Sequence, residues 1–578
     1  MTRLLNTPAA FADEAIAGFV AANRRYVRAV DGGVVRATRI ADGQVAVVVG
    51  GGSGHYPAFA GLVGPGLASG SACGNMFASP SAGQVVRVTQ AVERGAGVLL
   101  AFGNYAGDVL NFGQAQQRLN AAGIDARIVA VTDDIASGSV DEIAKRRGIA
   151  GDLTVFKVAG AAAEAGADLD EVERLANLAN ARTRSLGVAF TGCTLPGAGD
   201  ELFTVPDGMM SLGLGIHGEP GISDVPIPTA DGLADILVDR LLAERPEGAT
   251  DRVVPILNGL GSVKYDELFV LFGAVARRLE EAGLTIVAPE CGELVTSLDM
   301  AGVSLTLFWP DAALESLWTA PADTPAFRTG SIERELDVDG AAGAGRVDLR
   351  GATEESQQHR AAAPAGLALL VSVKEMILES EEEFGLIDAI AGDGDHGIGM
   401  ARGVTGAVAA AQRVVDEGAG VSALLIEAGD GWAENAGGTS GALWGNALQA
   451  AGRSLGDARS LDAVAVSDAV VAALGAMTAL GRAEVGDKTM IDAFVPFSQT
   501  LAARIADGDS LGTAWAAAAV AATDAAAATA ELRPRLGRAR PLAEKSIGHP
   551  DAGAISLSRI ATTVARTAFE TSTKDVTP

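Results

Sequence analysis

The sequence changes its pattern near residue 360. Before that point, short runs of β-branched and other apolar residues alternate with helical stretches; after it, the pattern is helical almost throughout and rich in alanine and leucine. One hydrophobic core rarely grows beyond about 250–300 residues, so a chain of 578 residues with two such patterns is expected to form more than one domain. We predict an α/β domain over residues 1–330, a linker over residues 331–360 and an all-helical domain over residues 361–578.

Three apolar runs of the first domain have the length and composition of buried parallel strands: residues 45–49, 98–102 and 127–131. Open α/β sheets bind ligands beyond the carboxyl ends of their strands. The glycine-rich loop at residues 50–55 and the loop at residues 104–108 follow the first two runs, so we expect a small-ligand site there. An ordinary strand-to-helix turn remains the alternative for the first loop, and a helix N-cap remains the alternative for Asp108.

The overall charge limits the partners of the chain. Its net charge of −28 argues against binding to nucleic acid or to an anionic membrane, which requires basic patches. The three cysteines are scattered and the N-terminus carries no apolar leader segment, so a cytoplasmic location is expected. The alanine-rich stretch at residues 514–530 is interpreted as a tightly packed helix and not as a membrane span.

Acidic and glycine-rich segments of the second domain indicate phosphate chemistry. Asp388, Asp393 and Asp395 lie within eight residues and are separated by glycines, and Mg²⁺ prefers such oxygen ligands, which it usually shares with substrate phosphates. The glycine turn at residues 437–441 precedes a helical stretch and would present backbone N–H groups to an anion. Each segment alone could be an ordinary solvated turn, but together they suggest a Mg–nucleotide site and phosphoryl transfer.

One histidine of the first domain has an unusual setting. His217 is flanked by glycines and has Glu219 close by, so its imidazole is sterically unhindered. A neutral imidazole nitrogen is nucleophilic and can add to a carbonyl. A structural turn histidine is the alternative at this stage.

In their order along the chain, these segments resemble the dihydroxyacetone kinase family. The segments at residues 50–55, 104–108 and 215–221 resemble its K domain, and the acidic and glycine-rich segments, with two further loops at residues 486–489 and 546–553, resemble its L domain. The resemblance implies a fused, single-chain, ATP-dependent kinase that uses Mg²⁺. It also implies a K domain of two α/β subdomains that forms a homodimer, and an L domain that is a barrel of antiparallel helices with ATP at one end.

The resemblance also assigns roles in the K domain. His217 would form a covalent hemiaminal with the ketone of a short ketose, Asp108 would be the general base, and His55 would hydrogen-bond the substrate and assist acid–base chemistry. The backbone that contacts substrate in the family matches Gly52, Ser53 and Gly54.

In the L domain, the resemblance assigns a metal site and a nucleotide site. The Mg²⁺ ligands of the family match Asp388, Asp393 and Asp395. Its nucleotide contacts match residues in and beside the glycine-rich loops: His396, Gly397, Ile398, Gly399, Thr439, Ser440, Gly481, Met490, Arg538, Asp551, Ala552 and Gly553.

Three departures from the family pattern fall on the substrate loops. Tyr56 follows His55 where the family has Glu, Gly103 stands where it has Lys, and Asn75 stands where it has Asp. Because the catalytic groups are kept while charged neighbours are lost, we expect a four-carbon ketose such as D- or L-erythrulose to be at least as good a substrate as dihydroxyacetone. Three other functions remain open: a kinase that takes phosphate from a carrier protein, a non-enzymatic regulator, and a cyclising lyase activity on FAD.

Overall fold

The computed structural model describes residues 4–332, 357–390, 392, 394–456, 460–536 and 543–570. The chain forms two compact units, Met1–Val347 and Asp348–Pro578. Of the predicted linker, residues 333–356 lie outside the described residues, and residues 357–360 belong to the first helix of the second unit.

The first sheet of the first unit has six strands in the spatial order β1-β2-β4-β3-β5-β6. Their bounds are β1 (Val27–Val30), β2 (Gly33–Arg36), β3 (Ala46–Ser53), β4 (Gly70–Met76), β5 (Val98–Gly103) and β6 (Ala126–Val131). β3 pairs in parallel with β4 and β5, and β5 pairs in parallel with β6. The prediction of three parallel strands is therefore confirmed, with β3 and β5 buried and β6 half-buried, although β1 and β2 add an antiparallel edge.

Helices cover both faces of this sheet, which explains why the central strand β5 is apolar throughout. The helices of the first unit are α1 (Phe11–Ala22), α2 (Ala82–Val92), α3 (Ala106–Ala121), α4 (Asp152–Glu164), α5 (Leu169–Ala181), α6 (Ala230–Ala243), α7 (Tyr265–Glu281) and α8 (Ala312–Thr319). Along β5, Leu99 and Ala101 belong to one hydrophobic core, while Val98, Leu100 and Phe102 belong to another. Successive strand residues point to opposite faces, so a strand buried on both faces shows no polar alternation.

The second sheet follows the order β11-β10-β13-β7-β8-β9, with β12 beside β10. Its strands are β7 (Thr183–Ala189), β8 (Met209–Leu212), β9 (Ser223–Pro226), β10 (Arg252–Gly259), β11 (Thr285–Ile286), β12 (Glu290–Gly292) and β13 (Gly302–Phe308), and a small hairpin of β14 (Ala322–Asp323) and β15 (Arg328–Thr329) follows. Most of its pairs are antiparallel, and α6 and α7 contribute to its core. The expected division into two α/β layers is confirmed.

The second unit is helical. Its helices are α9 (Gln357–Glu379), α10 (Glu381–Asp388), α11 (His396–Asp416), α12 (Val421–Ala436), α13 (Gly438–Leu455), α14 (Ala463–Gly481), α15 (Ile491–Ala506), α16 (Leu511–Ala528), α17 (Ala543–Ser546) and α18 (Ala552–Ala565). From α11 to α16 each helix packs on the next, α16 packs on α18, and α9 contacts both α18 and α11. The described helices therefore form a closed ring, as expected for a helical barrel.

The alanine-rich stretch forms α16, as predicted. Ala514, Ala518, Ala522 and Ala526 are fully buried, and their spacing of four places them on one face of the helix. Among the described residues, α9, α14 and the segment Leu511–Glu531 are long and apolar enough to cross a membrane, by length and composition only. In this fold each of these helices packs against two neighbours of the ring.

Candidate active site

Two histidines from distant parts of the first unit meet in the candidate site. His55 follows the carboxyl end of β3, and His217 lies in the loop between β8 and β9; their Nε2 atoms are 3.0 Å apart. The Nδ1 atom of His55 lies 2.8 Å from the carbonyl oxygen of Thr296, and that of His217 lies 3.2 Å from Glu219 Oε1. Since both partners accept hydrogen bonds, both Nδ1 atoms carry the proton. In the neutral rings each Nε2 then holds a lone pair, and that of His217 is a potential nucleophile.

The environment keeps His55 neutral. Its side chain is 2% exposed, and burial, followed by the neighbouring His217, lowers the pKa of His55 to about 3. An imidazole that resists protonation at neutral pH can accept or relay a proton without becoming a lasting cation. This property fits the predicted role of His55 in acid–base chemistry.

A chain of charges fixes the group that orients His217. Glu219 also accepts a hydrogen bond from the backbone N–H of His217, at 3.1 Å. Arg147 Nη1 lies 3.7 Å from Glu219 Oε2, and Arg147 Nη2 lies 2.7 Å from Asp134 Oδ2. Burial would raise the pKa of Glu219, but His217 and Arg147 outweigh it and hold that pKa well below its ordinary value. Glu219 is therefore an anion that holds Nδ1–H and leaves Nε2 free to react.

Asp108 lies in the first turn of α3, where Tyr105 is the N-cap. The alternative that Asp108 caps this helix is therefore wrong. The Asp108 side chain is 8% exposed and its Oδ1 atom has no hydrogen-bond partner. Burial raises the pKa of Asp108 to about 7, although a hydrogen bond from Ser79 opposes the shift. A carboxyl group that titrates near neutral pH is well matched to general base catalysis.

Aromatic rings enclose the two histidines. Phe77 stacks on His55 with ring centroids 4.9 Å apart, and it meets His217 edge-on at 5.2 Å. Tyr105 meets His217 edge-on at 4.8 Å. These rings limit the rotation of both imidazoles and surround them with an apolar wall. Sequence reasoning missed Phe77, and it passed over Tyr105 although this residue lies inside the 104–108 segment.

The glycines of the first loop allow a second loop to approach it. A Cβ atom on Gly52 would lie 2.7 Å from the backbone nitrogen of Ala78, and one on Gly54 would lie 2.7 Å from the ring of Phe77. Gly54 also has a φ of +104°, which other residues rarely adopt. The Ser53 hydroxyl donates to a backbone carbonyl of β4, at 2.6 Å. The loop therefore packs closely against β4 and the residues that follow it. Contact of its backbone with substrate stays a prediction.

The predicted metal ligands lie where α10 ends and α11 begins. Asp388 is the last residue of α10 and Asp395 is the N-cap of α11; Asp393 lies outside the described residues. Burial, followed by the Asp388 carboxylate, raises the pKa of Asp395 to about 6. Two neighbouring carboxylates that repel each other fit a hard divalent cation, which would neutralise both. Within the described part of the chain, no group of three or more His, Cys, Asp or Glu side chains is arranged to hold a metal ion.

The predicted nucleotide contacts lie at helix ends of the second unit. His396, Gly397, Ile398 and Gly399 open α11, Thr439 and Ser440 lie in the first turn of α13, Gly481 ends α14, Met490 is the N-cap of α15, Asp551 is the N-cap of α18, and Ala552 and Gly553 open α18. Arg538 lies outside the described residues. Helix N-termini offer free N–H groups and a positive dipole end to phosphates, so this end of the ring suits an anion.

Direct contacts tie some of these ends together. His396 Nε2 lies 3.0 Å from the hydroxyl of Ser556, which joins α11 to α18. A Cβ atom on Gly553 would lie 3.3 Å from Met490, so α15 and α18 also approach closely. Burial, followed by Asp388 and Asp492 among the charged neighbours, raises the pKa of Asp551 to about 7.

A buried lysine supports this end of the ring. Lys488 is 4% exposed and adopts a left-handed φ of +61°. Its Nζ donates to the carbonyl oxygens of Ser546, at 2.6 Å, and Leu532, at 3.1 Å. The sequence pattern had placed this residue in a candidate loop, and the structure shows it joining that loop to the segment that precedes α18.

Replacing Lys488 tests whether its two hydrogen bonds stabilise the second unit. Lys488→Met keeps the aliphatic stem but leaves two buried carbonyl oxygens without their donor. We expect the free energy of unfolding to fall by about 2 kcal/mol, measured by urea denaturation without nucleotide. The exposed Lys545→Met is the matched control and should change it by less than about 0.5 kcal/mol. Equal stability of the two variants would contradict the assigned role.

Known protein families match both units. The Dak1 domain matches residues 17–326 and the DAK2 domain matches residues 390–566. The chain belongs to the dihydroxyacetone kinase family. The earlier resemblance is therefore confirmed at the level of the family, while the roles of individual residues remain predictions.

Full-length relatives of this dihydroxyacetone kinase family member include kinases of four-carbon ketoses. The chain is 57% identical over 564 residues to the "L-erythrulose kinase" of Pectobacterium atrosepticum, covering 97% of this chain and 95% of that protein. It is 54% identical over 569 residues to the "D-erythrulose kinase" of Mycolicibacterium smegmatis, with 98% of each chain covered.

A solved structure of the dihydroxyacetone kinase family also matches. The dihydroxyacetone kinase of C. freundii in complex with AMP-PNP and Mg²⁺ has a TM-score of 0.52 and 30% sequence identity, covering 98% of this chain and 99% of that chain. The match extends over both units, which confirms the predicted fold class.

Proposed function

We propose that this protein transfers the γ-phosphoryl group of ATP to the terminal hydroxyl of a short-chain ketose held as a hemiaminal on His217. The observation that carries the proposal is the setting of His217. Glu219 holds its Nδ1–H, and its Nε2 faces His55 inside an aromatic enclosure. An imidazole arranged in this way can attack a carbonyl carbon, which a ketose has and glycerol lacks.

Formation of the hemiaminal needs the groups of this site and one proton from solvent. The Nε2 lone pair of His217 forms a bond to the carbonyl carbon, and the C=O π electrons move to the oxygen. That oxygen takes up the solvent proton, which the His55 Nε2 atom, 3.0 Å from His217 Nε2, can accept and pass on. The positive charge that develops on the His217 ring faces the Glu219 carboxylate, which stabilises it or takes the Nδ1 proton.

The fixed ketose then presents a hydroxyl for phosphorylation. Asp108, as the carboxylate, accepts the hydroxyl proton while the oxygen bonds to the γ-phosphorus and ADP leaves. Asp388, Asp393 and Asp395 would hold Mg²⁺, which would supply positive charge to the phosphates. The N-terminal turns of α11, α13 and α18 would hold the nucleotide through their backbone N–H groups.

The proposed substrate is a four-carbon ketose. The relatives named as erythrulose kinases are more than 50% identical to this chain over nearly its whole length, and three charged positions of the family's substrate loops are changed here. One of those relatives is named for L-erythrulose and the other for D-erythrulose. Sequence identity therefore supports erythrulose as the class of sugar but does not indicate which enantiomer is the substrate.

The assay that tests this function is a substrate panel. With ATP and Mg²⁺, we expect D- or L-erythrulose to have a higher kcat/KM than dihydroxyacetone, glycerol to give no product, and EDTA to abolish turnover because phosphoryl transfer needs the cation. Formation of sugar phosphate is measured by mass spectrometry and by release of ADP. A clear preference for dihydroxyacetone would reject the four-carbon proposal, and phosphate transfer only from a carrier protein would reject ATP as donor. No transfer under any condition would favour a regulatory role.

We also propose that the protein works in the cytoplasm as a homodimer through its first unit, following the family resemblance. Light scattering on the full chain measures the dimer. A monomeric mass at micromolar concentration would contradict it.

A further inference from the structure

One buried carboxyl group near the candidate active site has no structural explanation. Asp152 is the first residue of α4 and is 2% exposed, and its Oδ1 atom has no hydrogen-bond partner. Buried polar atoms nearly always find a partner, and leaving one without a partner destabilises the fold. A residue that destabilises the folded protein in this way is a candidate for a functional role.

A neighbouring aspartate, Asp133, has a structural role at the start of α4. Asp133, which follows β6, accepts hydrogen bonds from the backbone N–H groups of Ile149, at 2.9 Å, and Gly151, at 2.8 Å. Asp133 therefore already satisfies the backbone that leads into α4. Asp152 can interact with the dipole of α4 from its first turn, but this does not provide a partner for its buried Oδ1 atom.

The side chain of Asp152 is directed toward the end of β5. A Cβ atom on Gly103, the last residue of β5, would lie 3.3 Å from Asp152 Oδ2 and 3.3 Å from the ring of Tyr105. Because Gly103 has no side chain, no Cβ atom fills the space between this carboxyl group and the Tyr105 ring. The backbone between Gly103 and Asp108 is the same segment that supplies the proposed general base.

Two further polar atoms around this segment also lack partners. They are the Tyr105 hydroxyl and Asp108 Oδ1, both buried. Tyr105 contacts the ring of His217, and both Tyr105 and Asp108 interact electrostatically with Asp152. The three unpartnered oxygen atoms therefore belong to one group of interacting side chains, of which Tyr105 contacts the proposed nucleophile. Their unused hydrogen-bonding capacity is one that a polyhydroxylated ligand could fill.

We propose that the Asp152 carboxyl group, which shares the space beside Gly103 with the Tyr105 ring, is a hydroxyl-binding subsite that recognises the additional hydroxyl of a four-carbon ketose. This inference rests on the proposed ketose kinase function and deepens it. A sugar hydroxyl both donates and accepts, so it can satisfy a carboxyl oxygen and the tyrosine hydroxyl together. Dihydroxyacetone has one hydroxyl fewer and would leave part of this subsite unfilled.

Substitutions at the subsite should change substrate preference and not only activity. Asp152→Leu removes both oxygens and keeps the branching of the side chain, and we expect kcat/KM for erythrulose to fall at least ~10-fold more than kcat/KM for dihydroxyacetone. Asp152→Asn keeps a donor and an acceptor and should retain more of the preference than Asp152→Leu. Tyr105→Phe removes a single hydroxyl and should give a smaller change in the same direction.

A stability measurement separates recognition from folding. Replacing an unpartnered buried carboxyl group with an apolar one should leave thermal stability unchanged or raise it, so Asp152→Leu is expected to combine an equal or higher Tm with a loss of erythrulose preference. Lys157→Met, on the same helix, is the matched control: Lys157 Nζ donates to the Leu317 carbonyl, so this variant should lower Tm and leave the preference unchanged.

The outcomes distinguish the subsite from the general function. Equal losses on erythrulose and dihydroxyacetone, or an unchanged ratio, overturn the subsite and leave the kinase proposal standing. Wild-type protein that phosphorylates no ketose overturns the kinase proposal itself. If Asp152→Leu does not fold, Gly103→Ala decides: its added methyl group would crowd Asp152 and Tyr105, so it should lower kcat/KM for erythrulose more than for dihydroxyacetone, and an unchanged ratio again overturns the subsite.

Discussion

His217→Ala is expected to lower kcat/KM for the best ketose by about 10³-fold or more, because the variant loses both the covalent anchor and the orientation that the anchor gives to the reacting hydroxyl. The remaining activity should no longer distinguish ketoses from glycerol, because the residue proposed to bond to the carbonyl carbon has been removed. Turnover of erythrulose, dihydroxyacetone and glycerol is measured side by side. Glu219→Gln keeps a hydrogen-bond acceptor but removes the charge that faces the imidazole, and it should give an intermediate loss.

The covalent step can be seen directly. With ketose labelled with ¹³C at its carbonyl carbon, wild-type protein should replace part of the carbonyl resonance with that of a tetrahedral carbon, and His217→Ala should not. Nucleotide binding to the second unit, measured by calorimetry, should be the same in both proteins and is the control for folding. A tetrahedral signal that persists in His217→Ala, or a ketose preference that is unchanged, would rule out the hemiaminal on this residue.

Asp108→Asn is expected to lower kcat by about 10²–10⁴-fold, the usual contribution of a positioned general base. The hemiaminal should still form in this variant, because His217 and Glu219 are unaffected. The two variants thus separate the steps: His217→Ala loses attachment, whereas Asp108→Asn keeps attachment and loses phosphoryl transfer. The exposed Asp207→Asn serves as the matched control and should retain wild-type kcat.

The pH dependence follows from the same carboxyl group. Because burial raises the pKa of Asp108 to about 7, the base is protonated and inactive below that pH, so wild-type kcat should rise with pH through about 7. Asp108→Asn should lose this acidic limb. A wild-type rate that stays constant between pH 6 and pH 8, a range of about one unit on either side of this pKa, would contradict Asp108 as the base.

Stability should change in the opposite sense. The folded protein binds the Asp108 proton more tightly than the unfolded chain, whose carboxyl has a pKa of about 4. The contribution of this group to stability is therefore full below pH 4 and decreases as the pH rises toward 7. At pH 8 the carboxylate is buried and charged, so Asp108→Asn should raise the Tm there. An inactive variant that is more stable at pH 8 is the expected signature of a group kept for catalysis.

Much of the fold was predictable because its signals are local in the chain. The runs that became β3 and β5 are apolar along their whole length, since both faces of the sheet are covered, and the run that became β6 is apolar after Arg127. The alanine-rich stretch has the small side chains that a close-packed helix needs. The antiparallel second sheet was not anticipated. Its pairs join strands that are far apart in sequence, such as β7 and β13, and no local pattern records such a pairing.

Some residues of the candidate site could likewise be predicted from the sequence, and others could not. His217, Asp108 and His55 stand out by residue type and by glycine neighbours, so the sequence identified them. Arg147 gave no signal because a charged residue in a loop usually faces solvent, and only its contacts with Asp134 and Glu219 reveal its position.

By itself, the sequence determined the two-part architecture, the family and the residue types able to carry the chemistry, because periodicity and motif spacing are properties of neighbouring residues. Only the tertiary structure decided that Asp108 is buried and not a helix cap, and that two imidazoles 162 residues apart meet at 3.0 Å. It also decided that Asp152 lacks a partner. Burial, electrostatic environment and unmet hydrogen bonds depend on which distant segments pack together, and that information appears only when the chain is folded.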